Sequence, residues 1–114
     1  MDDLLNKKCA PCEGGILPFD VSEIHKYQKK IDGWNILKGE KKIFFLNKKF
    51  KFNNFIDSQN FINKVGELSE NEGHHPDIFF GWGYAEIKIT THAIEGLSEN
   101  DFILAAKIDQ LINV

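Results

Sequence analysis

Arginine is missing from this chain: all 14 of its Lys and Arg residues are lysine. Nucleic-acid recognition leans on the planar arginine fork, which makes bidentate contacts to bases and phosphates, and on a net basic face. With 17 acidic residues and a net charge of -3, the chain has neither, so no nucleic-acid partner is expected. No apolar run approaches the ~20 residues that a membrane-crossing helix needs, and no membrane partner is expected. The opening residues, MDDLLNKK, lack an apolar signal segment, which makes the cytoplasm the expected compartment. Cysteine is scarce, with Cys9 and Cys12 forming a single CxxC. A structural zinc site takes about four ligands, and there is no second CxxC to complete one. A redox CxxC would follow a strand and open a helix, whereas this one neighbours Pro11, Gly14 and Gly15. The reading is of two reduced, non-catalytic thiols, with metal or redox use as the alternative.

What remains is an ordinary globular composition, 42% hydrophobic and 27% charged, in 114 residues. That length makes one domain, 1–114, with residues 1–18 as an irregular lead-in. Domains of this size are often helped by oligomerisation. Ten phenylalanines mean a core packed with flat rings.

Along the chain, Ser22 can cap a helix over about 23–30, and Gly33 ends that unit. A short strand is expected over 34–37, a turn at Lys38-Gly39-Glu40, and a second strand over 41–50. Asn53 or Asn54 can cap a helix reaching about Ser69, with Phe55, Phe61, Ile62, Val65 and Leu68 on one side and Ile56 as the exception. The polar stretch 69–77 reads as a loop. Strands follow over 79–82 and 84–91, the second with Ala85, Ile87 and Ile89 alternating against Glu86, Lys88 and Thr90. Ser98-Glu99-Asn100-Asp101 matches a capping box that opens the last helix, about 99–112. Its apolar surface is wide, which suggests burial against the sheet and against another subunit. The expected fold is α+β in two layers: a four-stranded antiparallel sheet with three helices, ordered helix, two strands, helix, two strands, helix.

Three of the four histidines stand out. His74 and His75 are adjacent and precede Pro76, which biases His75 to an extended backbone. Neighbouring side chains then point to opposite sides, so the two rings do different jobs. His92 lies one hairpin further on. An antiparallel hairpin returns the chain to its start, which brings His92 back to His75. Imidazoles titrate near neutral pH, so the cluster can give and take protons. Phe79, Phe80, Trp82 and Tyr84 could border a slot for a flat heterocycle, and Glu70, Glu72 and Asp77 could orient the rings. The alternatives are solvated loop histidines or a three-histidine zinc site. Against zinc, an adjacent HH pair rarely puts both rings on one ion, and no carboxylate spacing typical of a metal site accompanies it. No metal site is expected.

The runs Glu70-Asn-Glu-Gly-His74-His75-Pro76-Asp77, Trp82, Ile87-Lys-Ile-Thr90-Thr91-His92, and Gly96-Leu97-Ser98 with Asp101 together resemble the pterin-4a-carbinolamine dehydratases. The lead-in Cys9–Gly15, Trp34 and Phe50-Lys-Phe52 are similar to bacterial members. The resemblance implies loss of water from 4a-hydroxytetrahydropterin to give quinonoid dihydropterin, which recycles the cofactor of aromatic amino acid hydroxylases such as phenylalanine hydroxylase. It implies catalytic roles for His74, His75 and His92, with Gly73, Glu70, Pro76, Trp82, Thr90, Thr91, Ala93 and Asp101 at the substrate. It further implies no resident cofactor and assembly as a homodimer or homotetramer. Two positions depart from the family pattern. Gly73 stands where animal members often carry a polar residue, and Ile78 replaces an aromatic, which bears on substrate preference. The competing readings are a protein-interaction module, like the transcriptional cofactor role of animal members, and a non-catalytic pterin binder.

Overall fold

The computed structural model describes residues 2–9 and 17–112, so Cys12 and the second half of the CxxC lie outside the described residues. The element order is a four-residue helical turn α1 (Asp2–Leu5), α2 (Val21–Gln28), β1 (Asn35–Lys38), β2 (Phe44–Lys51), α3 (Phe55–Glu72), β3 (Asp77–Gly81), β4 (Tyr84–Ile89) and α4 (Glu99–Ile112). Apart from α1, this is the expected order of helix, two strands, helix, two strands, helix. The strands form one antiparallel sheet in the order β1-β2-β4-β3.

The register of the central pair, Leu46↔Ile89 through Lys51↔Tyr84, decides which side chains go inward. Leu46 and Phe50 of β2 and Ala85, Ile87 and Ile89 of β4 are buried. Their neighbours in each strand, Asn47, Lys49, Glu86 and Lys88, fall on the opposite face because strand side chains alternate. On that face the Asn47 amide donates to Glu86 Oε2 at 3.0 Å. The inward face meets Phe61 and Val65 of α3 and Phe102, Ile103, Leu104, Ala105 and Ile108 of α4 in one core.

Helix boundaries follow their caps. Asp20, not Ser22, caps α2: its Oδ1 accepts from the Glu23 N–H at 2.9 Å, which starts the helix two residues early. Asn54 caps α3 by accepting from the Asp57 N–H at 2.8 Å. Phe55 and Ile56, in the first turn, are both largely exposed, so the buried stripe starts later than the sequence pattern suggests. The helix runs to Glu72 through residues whose polarity reads as loop. Ser69 is buried there and donates its hydroxyl to Val65 O at 2.7 Å.

One expectation needs correcting. The lead-in is not wholly irregular: α1 packs on α4, and Leu4 is fully buried in the core. Within this one chain α4 already buries residues Asn100 to Ala105 and Ile108.

Candidate active site

The site lies where β3 begins and β4 ends. Antiparallel pairing sets Asp77 opposite Lys88, so the residues just before β3 and just after β4 share one end of the sheet. A cavity of about 210 Å³ opens there, lined by Gly73, His74, His75, Thr90, Thr91, His92 and Ala93. The hairpin therefore brings all three histidines to one cavity wall.

Each histidine is presented differently. α3 ends at Gly73, whose left-handed backbone (φ 67, ψ 25) turns the chain. The Gly73 N–H donates to Glu70 O and the His74 N–H to Ser69 O, both at 3.2 Å. These are the two bonds of a Schellman cap. The cap sends His74 inward and leaves His75 outward. His74 is buried, and its Nε2 lies 2.7 Å from Oδ1 of Asp101. His75 is exposed, and its Nε2 lies 2.6 Å from Oε1 of Glu70, which is more exposed still. An exposed pair of this kind orients the ring while adding little stability. His92 is exposed at the start of a 3-10 turn, His92–Ile94.

Asp101 is the anchor of the arrangement. It is fully buried and accepts three hydrogen bonds: from His74, from the Thr91 hydroxyl at 2.8 Å and from the Ser98 backbone N–H at 2.8 Å. The last of these is half of the expected capping box, so one carboxylate both starts α4 and holds the His74 ring. A carboxylate only accepts, so His74 Nε2 carries the shared hydrogen and its tautomer is set. The loop bearing His92 is closed by a bridge between Thr91 and Gly96, and the Thr90 hydroxyl lies 2.8 Å from Phe44 O and 3.2 Å from Gly96 O. Gly96 has no room for a side chain, because an added Cβ would sit 2.5 Å from Cβ of Pro18.

Several sequence expectations land elsewhere. Trp82 does not line this cavity: it sits in the turn at the far end of the β3–β4 hairpin and is 71% exposed. It lies five positions along the chain from Asp77, roughly 16 Å at strand rise. The aromatic slot is absent as well. Phe79 is exposed, Phe80 packs against Phe55 with ring centroids 5.5 Å apart, and neither they nor Tyr84 reach the histidines. Asp101 stands behind His74 rather than in the cavity, and Pro76 is not among the lining residues. Glu72 does not orient a histidine but pairs with Lys107. Among the described residues, no three His, Cys, Asp or Glu side chains are grouped to hold a metal ion. The Phe44 carbonyl is invisible to sequence reasoning, since a backbone acceptor on another strand leaves no mark in residue types.

This arrangement defines a class of protein: an α+β domain with a histidine-lined cavity at the sheet end, backed by a buried carboxylate. The profile of one family, described as pterin 4 alpha carbinolamine dehydratase, matches residues 18–111. A relative from Halorhodospira halophila is 48% identical over 95% of this chain and 96% of its own length. Another, from Rubrobacter xylanophilus, is 44% identical over 97% of this chain and all of its own. Both are provisionally named pterin-4-alpha-carbinolamine dehydratase. The chain belongs to the pterin-4-alpha-carbinolamine dehydratase family, whose named activity is that of a hydro-lyase. A crystal structure described as a transcriptional coactivator/pterin dehydratase from Brucella melitensis shares the fold, with a TM-score of 0.74 over 82% of this chain and 97% of that one at 24% identity.

Proposed function

We propose that this chain eliminates water from 4a-hydroxytetrahydropterin to give quinonoid dihydropterin, regenerating the cofactor of an aromatic amino acid hydroxylase. The observation that carries the reading is the meeting of His74, His75 and His92 at one cavity, with Asp101 buried behind His74. In the reaction the C4a–oxygen bond breaks. A proton from an imidazolium goes to the departing oxygen, which leaves as water, and a neutral imidazole takes the proton from the pterin ring nitrogen. The fixed tautomer of His74 leaves Nδ1 as its lone-pair nitrogen, so His74 serves as the base and His92 as the acid. His75, steered by Glu70, holds the substrate. Two positioned imidazoles are enough for both transfers.

The test is dehydration of a freshly formed carbinolamine by wild-type, His74→Ala and His92→Ala protein. Each proton transfer contributes about 10²–10⁴-fold, so each variant should lose that much turnover. Full rate in both folded variants rejects the roles assigned here.

A second reading has one observation in its favour: the Brucella neighbour is described as a transcriptional coactivator as well as a dehydratase. A pure interaction or binding module would take up pterin one to one without speeding the loss of water.

A further inference from the structure

The turn that presents His74 and His75 sits on a helix end that its own residues do not neutralise. The last turn of α3, Ser69–Glu72, holds two glutamates and no basic residue. A helix C-terminus carries partial negative charge, so carboxylates there are unfavourable and cations are needed. Of the four terminal carbonyls, those of Ser69 and Glu70 are taken by the Schellman cap. The cation comes from the other end of the sequence: Lys8 Nζ donates to Asn71 O at 2.9 Å.

The same N-terminal strap holds Glu72. Its carboxylate, 8% exposed, accepts the Cys9 N–H at 2.9 Å on Oε1 and Lys107 Nζ at 2.6 Å on Oε2. Cys9 is itself buried, and its thiol donates to Asn100 O at 3.6 Å. Lys7 pairs with Glu99 at 2.6 Å. The strap thus grips two places at once: the end of α3, two residues before His74, and the start of α4, one residue before Asp101. These are the two sides of the His74–Asp101 hydrogen bond. The strap lies before residue 18, where the family profile begins.

We propose that the strap Lys7–Cys9, acting through Glu72, is a positioning element of the histidine site that sets the spacing between the end of α3 and the start of α4. Glu72 is its positioning residue and does not touch the substrate. The inference rests on the dehydratase reading for its kinetic consequence, though not for its geometry. Misplacing a reacting group by ~1 Å can cost about 10²-fold. A partial release should therefore lower kcat at least about tenfold in Glu72→Ala and leave KM within about twofold. Glu72→Gln keeps an oxygen for the Cys9 N–H and should recover part of the loss. Lys8→Met alters only an exposed side chain, so it tests the strap even if Glu72→Ala folds poorly, and it should lower kcat about threefold by releasing one of the strap's two hydrogen bonds to the end of α3.

The decisive measurement is a double-mutant cycle with Asp101→Asn. Glu72 acts through the His74–Asp101 bond, so its removal should have little further effect once that bond is broken. Additive losses, or wild-type kcat in folded Glu72→Ala and Lys8→Met, overturn the proposal. Were the wild-type protein itself inactive, the dehydratase reading would fail alone, and amide exchange would still test the strap. Glu72→Ala should speed exchange at Gly73 and His74 about tenfold or more, with Ile87 and Ile89 unchanged. A uniform rise, or none, overturns it.

Discussion

One carboxylate shows how much a single residue can be asked to do. Asp101 starts α4, ties down the Thr91 loop and fixes the His74 tautomer, all from a fully buried position. Replacing it by Asn turns one acceptor oxygen into an NH₂ group, so a present donor then faces another donor. The expected loss is about 1–3 kcal/mol of stability for a buried group left unsatisfied. Turnover should fall further than that loss explains, because the His74 tautomer is released; thermal melts and steady-state rates on the same sample check both. Its capping role was legible in the Ser98-x-x-Asp101 spacing. Its bond to His74 was not, since the two residues, 27 positions apart, are brought together only by the fold.

At the scale of elements, the site depends on how α3 stops. Gly73 has positive φ, and a Cβ added there would have nothing within 4 Å, so Gly73→Ala meets no clash and only the backbone penalty. That penalty is about 1 kcal/mol for a left-handed cap. A melting-temperature drop of a few degrees is expected, together with a larger fall in kcat as the cap that separates inward His74 from outward His75 loosens. A denaturant midpoint equal to wild type would show that the cap does not hold the turn. The stop itself was not readable from hydrophobic periodicity, because Ser69–Glu72 are polar. The helix persists there through capping and through the lysines brought in from outside it. The hairpin was readable, since the alternation in Tyr84–Ile89 fixes its inward face and the return of the chain follows.

Across the whole molecule, titration should limit stability at both the acid and the alkaline end. Burial works against the charge on Glu72, but donation from the Cys9 N–H and Lys107 outweighs it and holds its pKa below the usual 4.5. Lys7, with Tyr27, lowers Glu99 in the same direction against its partial burial. Groups lowered in the fold stabilise it above their unfolded pKa, so this stability is lost as pH falls through 4.5 and below. Asp109 runs the other way: burial raises it despite its bonds from Lys48 and Trp34, so protonating it offsets part of the acid loss. On the alkaline side, burial and then Glu72 push the Cys9 thiol from 9.0 up to about 12. Its contribution is complete below 9.0 and declines as pH climbs towards 12. Melting temperature should fall along both limbs, and Asp109→Asn should steepen the acid one. No helix among the described residues is long and apolar enough to cross a membrane.

The order of elements, the antiparallel pairing and the meeting of His92 with His74 and His75 were decided by local patterning. Periodicity, turn residues and hairpin geometry act over a few residues and leave their mark in residue types. What stands behind and around the histidines was decided by tertiary structure: Asp101 against His74, the Phe44 carbonyl on Thr90, Lys8 and Cys9 on the end of α3, and the exile of Trp82 to the far turn. Those contacts join residues tens of positions apart. They depend on how helices pack over the sheet, which depends on the shape of the assembled core rather than on any one segment.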